Sequence, residues 1–327
     1  MQILVTGATG FVGSHATAEL VRGGHAVRIL ARDPARVAPA LGPHGVECEV
    51  FVGDMTDGQT VARAVEGCDA VVHAAAQIGV GGGGQAGDVN VEGVRTVVGA
   101  AIEAGVGRVV YTSSVTVHMP GVASRIALDT PLSEPSSPYA ASKVAAERLV
   151  RTWQGQGHPI TTVVLGGVYG PISRELTGSF GAILAAIETM MLVPPGGTTV
   201  IDVRDVARVL GAVVRSPRPP ARVLAGGHFV TWDRWVLLLE GALGRPVVSQ
   251  AMTAVGLREL ARELTAAAAG SLEPPLLDVE AAEVMLGGVP VDDRESLAAL
   301  GVEPTPLERT FGDTVAWLRE IGRLPVA

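Results

Sequence analysis

Aromatic side chains, cysteines and charges are all scarce in this sequence of 327 residues. Aromatic residues make up 4% and charged residues 18%, whereas hydrophobic residues make up 47%, so the chain can bury a sizeable core and we do not expect disorder. The two cysteines, Cys48 and Cys68, lack the spacing of metal ligands or of a disulfide framework, which indicates a reducing compartment. We interpret both as buried, small hydrophobic residues.

Basic runs and long apolar segments are also missing. The net charge of −8, without any basic run, argues against a nucleic-acid surface. No apolar stretch is long enough to span a bilayer, and the apolar N-terminus has neither the basic region nor the cleavage site of a signal peptide. We therefore expect a cytoplasmic protein that contacts neither nucleic acid nor membrane and holds no metal.

The first half of the chain alternates between apolar strand patterns and helical patterns. The patterns predict strands at 3–5, 26–30, 46–52, 70–73, 108–112 and 160–165, and helices at 12–22, 89–104 and 139–154. This alternation predicts an α/β fold, with a Rossmann-type, doubly wound parallel sheet covered by helices on both faces. A bound nucleotide would lie at the carboxyl ends of the strands.

After Leu165 the alternation breaks, which predicts a second, smaller and mostly helical lobe that binds the substrate. We assign residues 1–165 and about 198–226 to the dinucleotide-binding domain, and about 166–197 and 227–327 to the substrate lobe. The only low-complexity tract, Gly81 to Gly84, is interpreted as a mobile loop near the mouth of the cofactor site.

A glycine motif at the N-terminus carries the first chemical signal. Gly7, Gly10 and Gly13 follow a predicted strand and open a predicted helix, which is the context that makes such a motif specific. Glycine permits positive φ and lets backbone approach a pyrophosphate, and the helix N-terminus offers free N–H groups and a positive dipole end. The motif predicts a dinucleotide site, with a merely tight strand–helix turn as the alternative.

The end of the second predicted strand bears on the choice of cofactor. A carboxylate there would bind the ribose 2′-hydroxyl of NAD, but the chain has Ala31 followed by Arg32, whose guanidinium can grip a 2′-phosphate. NADP(H) is therefore favoured, and NAD(H) stays open because Arg32 could be a solvated loop charge. Asp54 could accept a hydrogen bond from the adenine amino group or serve as a turn residue, and His73 is interpreted as a core histidine.

Tyr139 and Lys143 are four residues apart on a predicted helix, so their side chains share one face. A nearby ammonium and an oxidised nicotinamide would favour the phenolate, and we therefore expect the pKa of Tyr139 to lie below its ordinary value of about 10. Tyr139 could then exchange a proton with a developing alkoxide or an alcohol. Ser113 and Ser114 end the fifth strand, where a hydroxyl can orient a carbonyl oxygen.

Together these segments resemble an extended short-chain dehydrogenase/reductase of the NAD-dependent epimerase/dehydratase family, and most closely its dihydroflavonol-4-reductase-like branch. The resemblance covers nearly the whole chain. Besides the glycine motif and the Tyr139/Lys143 pair, it rests on the segments 53–54, 89–93, 111–114, 168–171, 202–207, 290–293 and 300–302. Two sites depart from the family: Val164-Leu165 replaces a frequent Arg-Pro, and His118 stands where tyrosine is frequent, so the roles of both remain open.

The resemblance implies a Rossmann fold and catalysis by Ser114, Tyr139 and Lys143, with Ser113 as the second choice for the serine. The expected cofactor contacts are Gly7, Thr9, Gly10, Phe11, Val12, Gly13, Arg32, Asp54, Met55, Ala74, Ala75, Ala76, Asn90, Tyr139, Lys143, Gly166 and Val168. The candidate substrate contacts are Ser113, Gln77, His118 and Tyr169. Related enzymes often dimerise through the helices at 90–104 and 139–154, which makes a homodimer the candidate assembly.

Four functions are candidates for these residues: three reactions and one non-catalytic role. A nucleotide-sugar dehydratase needs an acid/base pair beside the catalytic hydroxyl, but Val115 and Thr116 follow Ser114. A sugar epimerase tends to keep a bound NAD, which Arg32 disfavours. Because the serine, tyrosine and lysine are all kept, a non-catalytic NADP-binding sensor or scaffold fits less well than a net NADPH-dependent reductase. The nearly uncharged segment 77–87 and the aliphatic second lobe suggest an apolar ketone or aldehyde, such as a secondary metabolite, as its substrate.

Overall fold

A seven-stranded parallel sheet forms the centre of the first lobe in a computed structural model that describes residues 1–77, 85–119, 124–135, 138–268 and 277–325. The glycine tract 81–84 lies outside these residues. The sheet consists of β1 (Gln2–Thr6), β2 (Ala26–Ala31), β3 (Glu49–Val52), β4 (Ala70–His73), β5 (Val109–Ser114), β6 (Ile160–Leu165) and β10 (Arg222–Ala225). Its strand order is β10-β6-β5-β4-β1-β2-β3, which reverses at β1 and β4 and opens a crevice there for a ligand.

Helices cover both faces of this sheet. The helices of the first lobe are α1 (Phe11–Arg22), α2 (Val37–Leu41), α3 (Gly58–Val65), α4 (Gln85–Glu103), α5 (Pro138–Gly155) and α7 (Val203–Arg215). Side chains alternate along β1, so Ile3 and Val5 join the core beneath α1 and α7, whereas Leu4 joins the core beneath α3, α4 and α5. This two-sided burial explains why the strands read as continuous apolar runs.

The second lobe is mostly helical and carries two small sheets. Its strands are β7 (Gly167–Tyr169), β8 (Met191–Val193), β9 (Gly197–Asp202), β11 (His228–Thr231) and β12 (Ser249–Ala251). Its helices are α6 (Ser179–Glu188), α8 (Trp232–Leu243), α9 (Ala254–Ala267), α10 (Val279–Gly287), α11 (Arg294–Ala299) and α12 (Leu307–Glu320). A separate core that includes Phe180, Trp235 and Phe311 holds this lobe together.

The predicted α/β class with a Rossmann-type sheet and a smaller helical lobe is confirmed, and several element bounds shift. The third strand begins at Glu49 instead of Val46, because a 3₁₀ helix ends at His44 and Gly45 adopts a φ of 66°. The fifth strand runs on to Ser114. The predicted domain division stays a prediction, although β9, at the start of its second Rossmann segment, pairs with β7 and β11.

Within the described residues, no helix combines the length and the apolar character that a membrane crossing needs.

Candidate active site

The glycine motif packs its backbone directly against the segment that follows β4. Gly7 has a φ of 79°, and a Cβ on it would lie 2.6 Å from Ala75 N and 2.7 Å from Ala74 C. A Cβ on Gly13 would collide with the Gly7 carbonyl oxygen. Because such contacts leave no room for a side chain, glycine is required at both positions, and the turn is as tight as a pyrophosphate cradle needs.

The first turn of α1 is open for an anion. Gly10 caps the helix without a side-chain hydrogen bond to its N–H groups, and the first turn contains no acidic residue. Thr9 and Gly10 are accessible, whereas Val12 is partly buried and packs on the core. Free N–H groups at a helix N-terminus favour phosphate, so the residues present fit a dinucleotide.

The end of β2 presents an arginine to the same crevice. The Arg32 guanidinium is 69% exposed and lies 3.7 Å from the Asp54 carboxylate, which also accepts hydrogen bonds from the backbone and the hydroxyl of Thr56. Partial burial alone would raise the pKa of Asp54, but the Thr56 hydrogen bonds and Arg32 hold it below its usual value. Asp54 therefore stabilises the turn after β3, its expected contact with adenine stays a prediction, and Arg32 keeps donors free toward solvent.

Ser114 and Tyr139 come together at the carboxyl end of β5. Their side chains share a hydrogen bond, and Ser114 Oγ also accepts from Thr116 N at 3.2 Å and from Thr116 Oγ1 at 3.0 Å. The Ser113 hydroxyl is instead buried, and its side chain shares a hydrogen bond with Tyr111. The geometry therefore favours Ser114 over Ser113 as the partner of the tyrosine.

The expected lowering of the pKa of Tyr139 is wrong for this structure. Burial raises that pKa to about 12, against the opposing effect of the Ser114 hydrogen bond, and the carboxylate of Glu280 adds to the increase. The Lys143 ammonium donates to the Thr112 carbonyl oxygen at 2.9 Å instead of pointing its proton at the tyrosine. Tyr139 is consequently a neutral phenol throughout the physiological pH range.

Lys143 is almost completely buried at the base of this site. Its Nζ lies 4.9 Å from the centre of the Tyr111 ring, at a distance that allows a cation–π contact. Burial lowers the pKa of Lys143 to about 8, and the carboxylate of Glu147 opposes that decrease.

Lys143 is also the only lysine in the sequence. The other 24 of the 25 lysine and arginine residues are arginines. Arginine provides the positive charge on the solvated surfaces of this chain. A single lysine is therefore not expected if its role were only to add charge to a helix surface. An ammonium and a guanidinium differ in that only the ammonium can titrate near neutrality after burial. This compositional signal was available in the sequence and supports a chemical role independently of the motif.

Asn90 ties the loop after β4 to the catalytic helix. Its Oδ1 accepts from Gln77 N at 2.7 Å, and its Nδ2 donates to Gln77 O at 3.0 Å and to Ser142 Oγ at 3.1 Å. Ser142 Oγ in turn donates to the Tyr139 carbonyl oxygen at 2.8 Å. We call this chain of contacts the Asn90 clamp, and it fixes the backbone from which Tyr139 projects.

Several other predicted contacts lie on the inner surface of the crevice or in the core. Ala76 is exposed after β4, Met55 packs on Gly93, and Phe11 packs edge-on against Phe180. Backbone packs tightly at Gly166, where a Cβ would lie 2.6 Å from Gly226 O. The Val168 carbonyl oxygen accepts from Ser179 Oγ at 2.7 Å.

Three residues with rings are held inside the protein. His73 Nδ1 lies 2.7 Å from Thr6 Oγ1, and burial lowers its pKa to about 3, as befits the core histidine that we predicted. The Tyr169 hydroxyl accepts from Trp235 Nε1 at 3.2 Å within the second core, and His118 is 1% exposed. The structure therefore gives Tyr169 and His118 packing partners in place of an open pocket, and their expected substrate contacts stay predictions.

Sequence reasoning missed Glu280. It lies in the first turn of α10, in the second lobe, yet it is near enough to Tyr139 to raise that residue's pKa. The 140 residues between Tyr139 and Glu280 leave no local pattern from which this proximity could be predicted.

Comparison with known proteins places this site in a family context. The model of the NAD dependent epimerase/dehydratase family matches residues 3–226. The chain is 28% identical to sterol demethylase protein B of Methylococcus capsulatus over 337 residues, covering 99% of this chain and 100% of that protein. It is 31% identical to 2-alkyl-3-oxoalkanoate reductase of Stenotrophomonas maltophilia, covering 77% and 79%. A 3 beta-hydroxysteroid dehydrogenase/Delta 5-->4-isomerase of Mycobacterium tuberculosis is 37% identical over 180 residues, which span 47% of its own length.

Solved structures share the fold over almost the entire chain. The crystal structure of gox2253 is 27% identical, with a TM-score of 0.81 and coverage of 98% of this chain and 99% of that one. The UDP-glucose-4-epimerase from Stenotrophomonas maltophila, with bound NAD and formylated UDP-arabinopyranose, is 23% identical with a TM-score of 0.78, covering 99% of both chains. At that identity, the second likeness shows the fold alone.

Replacing Gly13 with alanine should weaken cofactor binding, because the new Cβ would push the first turn of α1 away from Gly7. Overpacking of this kind typically costs about 1–3 kcal/mol. We expect a lower midpoint of urea unfolding and at least a tenfold loss of NADPH affinity in a fluorescence titration. The matched control is Gly99→Ala on α4, where a Cβ meets open space and no loss of affinity is expected. A Gly13→Ala protein with unchanged stability and unchanged cofactor affinity would contradict the assignment of the glycine motif as the cofactor site.

Proposed function

The chain belongs to the NAD dependent epimerase/dehydratase family, and from that premise we propose that it is an NADPH-dependent reductase of a ketone or aldehyde on a mainly apolar small molecule. At the coarser level it is an NAD(P)-dependent enzyme of the extended short-chain dehydrogenase/reductase type. The observation that carries the proposal is the hydrogen-bonded pair of Ser114 and Tyr139 above the buried Lys143, at the edge of the sheet where the glycine cradle lies.

These residues can activate a carbonyl for reduction. When bound, the reduced nicotinamide supplies the hydride. In this structure Thr116 fills the acceptor side of Ser114, so the Ser114 hydroxyl donates to Tyr139, and it can turn to the carbonyl oxygen of the substrate when one binds. Tyr139, as a neutral phenol, donates a proton to the oxygen on which negative charge develops. The ammonium of Lys143 favours the phenolate that remains.

The segment after Ser114 supports reduction over dehydration. Val115 cannot transfer protons, and the Thr116 hydroxyl is committed to Ser114 Oγ at 3.0 Å. Expelling water from a nucleotide sugar needs an acid and a base beside the reacting carbons. Reduction of a carbonyl requires one hydride, which the bound cofactor supplies, and one proton, which Tyr139 can donate.

An apolar substrate is supported by two relatives that match over most of their lengths. One is named for sterol demethylation and the other for reduction of a 2-alkyl-3-oxoalkanoate, and both names describe largely aliphatic molecules. The competing function, a nucleotide-sugar epimerase or dehydratase, is supported by a UDP-glucose 4-epimerase of Neisseria meningitidis that is 32% identical over 189 residues, 55% of this chain. A non-catalytic NADP-binding sensor or scaffold fits less well, because it gives no reason to retain the Ser114, Tyr139 and Lys143 set.

NADPH is proposed as the cofactor on the strength of Ala31 and Arg32. No carboxylate at the end of β2 repels a 2′-phosphate, and the exposed Arg32 guanidinium can exchange its 3.7 Å ion pair with Asp54 for a phosphate. NAD(H) remains the alternative, since related structures hold NAD. A homodimer through α4 and α5 stays a prediction.

Removing the Tyr139 hydroxyl should abolish reduction and spare cofactor binding. In Tyr139→Phe the proton donor is lost while the ring remains, so we expect kcat to fall at least about 10²-fold, as is typical of a lost general acid. NADPH affinity, measured by fluorescence titration, should change less than about twofold. An active Tyr139→Phe enzyme would refute the mechanism.

Replacing Arg32 should narrow the preference between the two cofactors. We expect the wild-type protein to bind NADPH more tightly than NADH, and Arg32→Ala to lose about 1.5–3 kcal/mol of NADPH binding because a charge-assisted contact disappears. Binding of NADH should stay constant. Arg95→Ala, which removes an exposed arginine paired with Glu92 on α4, is the control. Equal wild-type affinities for NADPH and NADH would show that Arg32 does not select NADPH.

A screen of NADPH oxidation over ketones, aldehydes and nucleotide sugars tests the substrate class. We expect turnover with apolar ketones or aldehydes, because simple reduction needs no acid/base pair beside Ser114. The measurement is the loss of NADPH absorbance, with the Tyr139→Phe protein as the blank. Turnover restricted to nucleotide sugars would overturn the proposed substrate and favour the competing reading.

A further inference from the structure

A buried carboxylate lies one helical turn beyond Lys143. Glu147 is four residues after Lys143 on α5, so the two side chains share a helix face, and Glu147 is 0% exposed. A carboxylate almost never loses all contact with water unless positive charge and hydrogen bonds compensate it. The partners of the Glu147 carboxylate therefore determine its role.

Two arginines from different elements face Glu147. Its Oε1 lies 3.2 Å from Arg151 Nε, one turn further along α5, and 4.0 Å from Arg222 Nε on β10. Its Oε2 is buried and has no hydrogen-bond partner in the described part of the chain. One oxygen is thus shared by two guanidinium groups, while the other carries no hydrogen bond among the described residues.

Arg222 connects this carboxylate to the loop that follows Ser114. The guanidinium donates to the Leu128 carbonyl and, at 3.2 Å, to His118 Nε2. His118 Nδ1 lies 2.8 Å from the Pro131 carbonyl oxygen, so Nδ1 carries the proton and Nε2 accepts from Arg222. His118 is therefore neutral, in agreement with its lowered pKa, whose main cause is burial.

Within the described segments, Lys143 has no negative charge besides Glu147 to offset its burial. From β4 it faces neutral His73, and from β5 it faces the Tyr111 ring and the Thr112 carbonyl oxygen. Glu147 is the one carboxylate that acts on the pKa of Lys143 among the described residues, and it also raises the pKa of Tyr111. Without Glu147, the positive charges of Lys143, Arg151 and Arg222 would lose the buried carboxylate that they share.

We propose that Glu147 is a positioning residue that keeps Lys143 charged, and that Arg222 moderates this effect by drawing the carboxylate toward β10 and the His118 loop. The inference rests on the proposed function for its importance to catalysis. Its physical core concerns only the side chains of Lys143, Glu147 and Arg222, and it is testable without any substrate.

The unique lysine makes a direct measurement available. Protein labelled with ¹³C- and ¹⁵N-lysine gives one lysine side-chain signal, and its pH titration by NMR reports the pKa of Lys143, which is about 8 in this structure. In Glu147→Gln we expect the titration to move down by about one pH unit or more, because a neighbouring anion is removed. In Arg222→Gln we expect it to move up by roughly half a unit, because a competing cation is removed.

Glu134→Gln is the matched control. The Glu134 side chain is 95% exposed and lies 3.7 Å from Arg148, an arginine of α5. Its replacement by glutamine is the same chemical change as in Glu147→Gln. Its lysine titration should coincide with that of the wild-type protein. A lost packing contact cannot move a pKa in opposite directions in two variants, so the opposite signs separate an electrostatic role from a merely structural one.

Titrations that do not move in Glu147→Gln and Arg222→Gln, or that move in the same direction in both, would overturn the proposal. If Glu147→Gln does not fold, the upward shift in Arg222→Gln decides alone. The proposed function fails separately, through an active Tyr139→Phe enzyme. If both hold, the alkaline limb of the rate of NADPH oxidation should shift with the NMR titration in each variant, measured with the best ketone of the screen.

Discussion

The burial of a single ammonium is the constraint around which the rest of the site is organised. Lys143 gives up nearly all of its hydration and donates one hydrogen bond, from its Nζ to the Thr112 carbonyl oxygen, at 2.9 Å. Such an exchange is unfavourable for a charge unless its surroundings compensate it. The Tyr111 ring and the carboxylate of Glu147 provide that compensation, and both belong to elements that the parallel sheet fixes in place. The chemistry of the crevice therefore depends on packing beneath it.

The same sheet explains why the cofactor cradle and the proton donor lie together. The motif at Gly7 follows β1, and Ser114 ends β5, only two strands away across β4. All strands of this sheet run parallel, so their carboxyl ends share one edge. The Asn90 clamp then sets the distance between the loop after β4 and the helix that carries Tyr139.

Much of this could be read from the sequence because the information is local. Apolar runs predicted six of the seven strands of the large sheet, and the glycine spacing located the helix that opens beneath it. Family membership is confirmed, whereas the dihydroflavonol-4-reductase-like branch stays a prediction. The pKa of Tyr139 could not be predicted, because burial and Glu280, which comes from the other lobe, outweigh the neighbouring lysine. Glu147 was within reach at helical spacing from Lys143, but its complete burial and its pairing with Arg222 depend on the fold.

The use of arginine at every basic position except one has a consequence for the molecule as a whole. Arginine does not lose its proton in proteins, and burial raises the pKa of both cysteines. Lys143 is therefore the one lysine or arginine whose pKa, about 8, lies between neutral pH and the range where tyrosines ionise. A mildly alkaline solution removes the charge of Lys143 and leaves the charges of the 24 arginines unchanged. Alkaline pH thus acts on the interior of the crevice through a single ammonium.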